Sequence, residues 1–236
     1  MAMSHTSAVA EARPLRIVIV GHVDHGKSTF VGRLLHETGS LPEGKLEAVK
    51  AMSARRGMPF EWAFVLDAMQ SERDQGITID TTQIRFRTAA RPYLVIDAPG
   101  HKEFLKNMVT GAAQAEAALL VIDAAEGVQE QSRRHGYLLH LLGIRQVAVL
   151  VNKMDLVGWS ADRFGSVAED FRGYLAELGV RPACMVPISA REGDNLAGHS
   201  PRMPWYQGPS VLQALDSFAY TSLPVDRPLR MPVQDV

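Results

Sequence analysis

Residues 21–29 read GHVDHGKST. This stretch constrains the chain more than any other. It matches the pattern G-x-x-x-x-G-K-[ST], with an apolar β-branched run before it and a helical pattern after it. In that context the glycines let the backbone curl, so that successive N–H groups converge on phosphate oxygens. The start of the following helix adds its partial positive charge. The nucleotide-holding candidates here are Gly21, His22, Val23, Asp24, His25, Gly26, Lys27, Ser28 and Thr29. Lys27 is expected to reach the β- and γ-phosphates, and the Ser28 hydroxyl to ligate Mg²⁺. His22 and His25 lack cysteine partners, which argues against a zinc pair.

The rest of the chain supplies the scaffold that such a loop needs. LRIVIV at 15–20 is a buried strand by composition, and 93–96, 117–122, 146–151 and 183–188 are further short apolar runs. Continuous apolar runs suit a parallel sheet covered on both faces. TTQIRFR at 81–87 alternates instead and reads as an edge strand. Helical patterns occupy 27–37, 102–113, 129–142, 161–178 and 211–220. The alternation predicts an α/β fold of the P-loop nucleotide triphosphatase type, a G domain with a mostly parallel central sheet and helices on both faces. Residues 39–79 interrupt it as a long insertion with helical patterns near 43–56 and 62–72, and insertions of that length are often functional.

A second pair of motifs selects the base. VNKMDL at 151–156 and ISAR at 188–191 each follow an apolar run, where ligand loops of open α/β sheets lie. The Asp155 carboxylate can accept from both N1–H and the exocyclic amine of guanine. Adenine has no matching donor pair and would leave a carboxylate unmet. Asn152 is expected to brace the loop and reach the base edge. The Lys153 stem would cover the base face, with Leu156 beside it. Ser189, Ala190 and Arg191 would offer N–H groups to the guanine carbonyl.

IDAPGHKEF at 96–104 and SERDQGITID at 71–80 complete the polyphosphate side. Asp97, closing an apolar run, is placed to hold Mg²⁺ through a water. The Gly100 N–H can meet the γ-phosphate. Thr78 offers a hydroxyl to Mg²⁺ and a carbonyl to an attacking water. These contacts end when the γ-phosphate leaves, so both loops have the properties of switches. His101 is the catalytic candidate: an imidazole beside the γ-phosphate that orients the water by position and electrostatics, without abstracting its proton.

Bulk properties exclude little and conflict with nothing. The chain has 236 residues and a net charge of −1, so no overall basicity draws it to nucleic acid or anionic lipid. A single cysteine, Cys184, rules out an internal disulfide framework and fits a reducing, cytoplasmic setting. No apolar run approaches the roughly 18 residues of a membrane span. The domain reading is a disordered tail at 1–14, a GTPase domain at 15–223, and at 224–236 a linker with the first strand of a β-barrel domain that continues in a longer protein.

Four stretches, GHVDHGKST, ERDQGITID, DAPGHKEF with NMVTGA, and NKMDLV, resemble the translation-factor class of GTPases, which includes elongation factor Tu. The resemblance implies an apolar gate of Val23 and Ile77 beside His101 and a monovalent cation near Asp24. Within that class, the stretches AFVLDAMQSERDQGITIDTTQI, IDAPGHKEFLKNMVTGAAQAEAALLVIDAAEGVQEQSRRHGYLLHLLGI and MPWYQGPSVLQALD resemble the large, GTP-binding subunit of sulfate adenylyltransferase. That implies GTP hydrolysis driving adenylyl sulfate synthesis from ATP and sulfate, with a small catalytic subunit as partner and no role for nucleic acid. Ala98 stands where many relatives carry Cys or Thr, and elongation factor 1-alpha of archaea and eukaryotes shares that alanine. The alternative reading is therefore a translation elongation factor that delivers aminoacyl-tRNA to the ribosome.

Overall fold

The computed structural model describes residues 13–74, 83–97 and 114–220. Among them, six strands form one sheet in the order β2-β3-β1-β4-β5-β6. The strands are β1 (Leu15–Gly21), β2 (Gln83–Arg87), β3 (Pro92–Asp97), β4 (Ala117–Asp123), β5 (Gln146–Asn152) and β6 (Cys184–Pro187). All neighbours are parallel except β2, which runs antiparallel to β3 at the edge. The alternation of β2 explains its place: Ile84 and Phe86 are buried while Gln83, Arg85 and Arg87 face out. Every residue of β4 is buried, so the sheet is covered on both faces.

The helices are α1 (Lys27–Glu37), α2 (Lys45–Arg55), α3 (Trp62–Asp74), α4 (Glu130–Leu141), α5 (Ala161–Glu177) and α6 (Val211–Ser217). Phe30, Val31, Leu34 and Leu35 give α1 its apolar face, and it packs on β1. Ser160 caps α5, its hydroxyl accepting from the Arg163 N–H. Ser210 and Gln213 form a capping box on α6. That last helix is shorter than its sequence pattern. Phe218 turns extended at φ −68° and ψ 140°, buries its ring, and its carbonyl accepts from Arg91 Nη1 at 2.7 Å.

The insertion between α1 and β2 folds as the helical pair α2 and α3. Its principal anchor is α1, and the approach is close. A Cβ on Gly32 would lie 2.2 Å from the backbone oxygen of Trp62. The predicted tail, the helix at 102–113 and the terminal stretch 224–236 lie outside the described residues.

Among the described residues, no helix is long and apolar enough to cross a membrane. Cys184 is half-buried, and burial pushes its thiol up to about 11, which keeps it a weak nucleophile.

Replacing Gly32 by Ala separates propensity from packing. Helix propensity alone predicts a gain of about 1 kcal/mol. The backbone oxygen of Trp62 cannot yield as a flexible side chain would, so the expected outcome is a net loss of about 1–3 kcal/mol, read by urea denaturation.

Candidate functional site

The phosphate loop joins β1 to α1, and two glycines set its path. Gly26 has φ 86°, and a Cβ there would meet Asn152 Nδ2 at 2.5 Å. A Cβ on Gly21 would lie 2.6 Å from the Val121 carbonyl oxygen of β4. Asp24 also takes a left-handed conformation, φ 66°, which Asp tolerates better than most side chains. Lys27 Nζ donates to the carbonyls of Gly21 and His22, both at 2.8 Å, so its ammonium is held at the loop. Ser28 and Thr29 follow in the first turn of α1.

His25 departs from the rest of the loop. Its side chain is fully buried, with Nδ1 3.1 Å from the Val121 carbonyl and Nε2 3.2 Å from Glu126 Oε2. The His22 ring meets it edge-on at 5.3 Å between centroids. Burial lowers the His25 pKa against the opposing pull of Val121 and Glu126. The imidazole is thus a strut beneath the loop, and the His25 backbone N–H donates to the His22 carbonyl at 3.3 Å. His135 on α4 is also buried. Desolvation, with Lys27, His22 and His25 adding to it, lowers its pKa to about 4.

Asn152 ends β5 and joins two loops. Its Nδ2 donates to the His25 carbonyl at 2.8 Å, and its Oδ1 accepts from the Ala190 N–H at 2.9 Å. Lys153 has φ 63°, and its ammonium sits 2.7 Å from Asp123 Oδ2. Burial alone would raise the Asp123 pKa. Hydrogen bonds from Lys153 and from the Ala125 and Glu126 N–H groups outweigh it and lower the pKa instead. Asp155 opens a 3₁₀ turn, Met154–Val157, and its Oδ1 accepts from the Ser189 hydroxyl at 2.7 Å. Leu156 is largely exposed.

These pieces border a cleft of about 600 Å³, lined by Gly26, Thr29, Lys153, Asp155, Ala190 and Arg191 among others. One end is the helical end of the phosphate loop, and the other carries the Asp155 carboxylate. A loop of converging backbone N–H groups leading to such a carboxylate suits a nucleotide that has phosphates at one end and a base with paired donors at the other. On the polyphosphate side, Asp97 closes β3 with its backbone in register with Ile19 of β1, two residues before Gly21. Thr78, Gly100 and His101 lie outside the described residues, as do Ile77 and the Asp97 side chain.

Sequence reasoning passed over several residues of this site. Asp123 ends its apolar strand as Asp97 does, and that repeated pattern was its available signal. Asp194 and Asn195 hold the loop after Ser189: Asp194 accepts from the Trp159 indole at 2.8 Å and the Ser200 hydroxyl at 2.6 Å. Asn195 Nδ2 donates to the Pro187 carbonyl at 2.8 Å. Glu126 had no signal, because only the fold brings it to His25.

The family model for the elongation factor Tu GTP binding domain matches residues 12–221. Elongation factor 1-alpha of Thermococcus kodakarensis is 46% identical over 229 residues, covering 97% of this chain and 53% of its own length. That of Thermoplasma volcanium is 47% identical over 234 residues, covering 97% and 55%. The crystal structure of Sup35 complexed with GDP has a TM-score of 0.62 at 28% identity, covering 91% of this chain and 47% of that one. The chain spans about half the length of the curated relatives it matches. These findings overturn the expected small sulfate adenylyltransferase partner, and with it the expectation against nucleic acid. The similarity is to elongation factors along nearly the whole chain. The stretches that suggested a sulfate-activating subunit, 63–84, 96–144 and 203–216, all lie within the span that the elongation factor family model matches. A net charge of −1 on one domain says nothing about contacts made by other parts of a protein.

Two outcomes follow from this geometry. Asn152→Ala removes both amide contacts and leaves the His25 carbonyl and the Ala190 N–H unmet. The expected loss is about 2–4 kcal/mol, with weakened nucleotide binding, read by urea denaturation and calorimetry. For the buried histidines the sign is set by their lowered pKa values. At a pH between about 4 and the ordinary 6.5, the unfolded chain binds the His135 proton and the folded chain does not. Stability is therefore full above 6.5 and declines as the pH falls toward 4. Denaturation midpoints across that range should show this slope, and His135→Gln should flatten it.

Proposed function

This chain belongs to the family of elongation factor Tu GTP-binding domains, and from that premise we propose that it is the GTPase domain of an elongation factor of the 1-alpha kind. In this reading the whole protein, in its GTP form, carries aminoacyl-tRNA to the ribosome. The observation that carries it is the 46–47% identity with archaeal elongation factors 1-alpha over 94–97% of the chain.

The site chemistry is consistent with that reading. The Asp155 carboxylate, steadied by Ser189, takes the guanine donors. Backbone N–H groups of residues 21–29 take the phosphates, and Lys27 swings its ammonium between loop carbonyls and phosphate oxygens. Ser28 and Thr78 would hold Mg²⁺, with Asp97 acting through a water. Mg²⁺ held there would supply positive charge against the phosphates. Water attacks the γ-phosphate in line, His101 orients that water, and the Gly100 N–H meets the γ-phosphate. Loss of that phosphate releases both switch loops.

One experiment on the full-length protein tests both levels. The rate of ester hydrolysis of aminoacyl-tRNA is measured with GTP, GDP or ATP present. GTP is expected to protect the ester, and GDP and ATP are not. Equal protection by ATP would end the case for guanine selection. Absence of protection with every nucleotide would end the case for a tRNA cargo.

A further inference from the structure

The base cleft has a wall that its recognition motifs do not account for. Residues 59–61, just before α3, and Trp62 at its start line it together with Lys153, Asp155 and Leu156. Trp62 anchors this wall. Its Nε1 donates to the Arg191 carbonyl at 3.2 Å, and Arg33 Nη1 of α1 donates to the same oxygen at 3.1 Å. The two donors also support each other. The Arg33 guanidinium lies 4.9 Å from the Trp62 ring centroid and is fixed on its other side by Glu37 at 2.7 Å. Phe60 packs edge-on against Trp62 at 5.1 Å, and Lys50 of α2 lies over the Phe60 ring.

The Arg191 carbonyl belongs to the loop whose preceding residues, Ser189 and Ala190, hold Asp155 and Asn152. A carbonyl that accepts two donors cannot rotate without breaking both. The insertion is thereby fastened to the base loop itself, far along the chain from it.

We propose that residues 59–62 form the outer wall of the base cleft, and that Trp62 and Arg33 are positioning residues that set how fast guanine nucleotide leaves. This deepens the reading of the cleft as a guanine site and rests on it. Releasing the base requires the 189–191 loop to open, and that loop opens only when the Trp62 and Arg33 contacts let go. The wall stands on the base side of the cleft, so its effect does not depend on the γ-phosphate. It acts equally on GDP and GTP.

The test is stopped-flow release of fluorescent GDP and a fluorescent non-hydrolysable GTP analogue from the full chain. Trp62→Phe keeps an aromatic ring, smaller than the indole, and removes the N–H donor. Arg33→Lys keeps the charge and removes the fork. Each is expected to raise the release rate of both nucleotides by the same factor, about three- to tenfold for one lost hydrogen bond. Association is expected to change less. The double variant is expected to fall short of the product of the two, since both donors serve one oxygen. Indole emission on GDP binding is expected to change in the wild type, and that change to shrink in Trp62→Phe. Phe60→Ala, which keeps both donors to the Arg191 carbonyl but removes the ring packed on Trp62, provides a second opening of the wall and is expected to accelerate release as well. Release rates within twofold of wild type in Trp62→Phe and Phe60→Ala, with folding verified by circular dichroism, would overturn the proposal. So would acceleration confined to the GTP analogue, which would trace the effect to the γ-phosphate. A wild-type chain that binds no guanine nucleotide would overturn the guanine reading beneath it, an outcome distinct from either.

Discussion

The amide of Asn152 has one end on the phosphate loop and the other on the base loop. Its Nδ2 holds the His25 carbonyl and its Oδ1 holds the Ala190 N–H. The residue is almost wholly buried, so neither contact competes with water. The two loops belong to different segments, more than a hundred residues apart in the chain. A single side chain that reaches both sets their separation. Gly26 is required for the same reason, because a Cβ there would occupy the Asn152 amide's position.

A second layer of contacts keeps that bridge in place. The Asp123 carboxylate holds Lys153 in a left-handed conformation. Ser189 fixes one oxygen of Asp155, and Asp194 and Asn195 secure the strand end behind it. His25, fully buried, supports the phosphate loop from the β4 side through Val121 and Glu126. Each of these groups makes at least one hydrogen bond or ion pair inside the protein. Such a network is rigid, and rigidity is what lets a cleft discriminate between bases.

Much of this was readable from the chain. Apolar runs became β1 and β3 to β6 nearly residue for residue, because a strand buried on both faces must be apolar throughout. The alternating run became the edge strand β2. Helix α1 began at Lys27, inside the phosphate motif. The limits were equally physical. His25 reads as one more member of the phosphate cradle, and only packing against β4 turns its ring inward. Arg33 pairs with Glu37 one turn later, and only the fold also brings it to the Arg191 carbonyl. The choice between sulfate activation and elongation was not legible in the stretches weighed for it, since all of them lie inside the span of one family model.

By itself, the sequence determined most of the strand and helix segments among the described residues, and the phosphate loop between β1 and α1. These are local matters of periodicity, glycine placement and side-chain chemistry over a few consecutive positions. Tertiary structure alone decided what meets across the sheet: Glu126 under His25, Asp123 on Lys153, and the α2–α3 insertion against the base loop through the Arg191 carbonyl. Contacts between residues a hundred positions apart depend on where the packed core carries each segment, and no spacing within a single stretch records that.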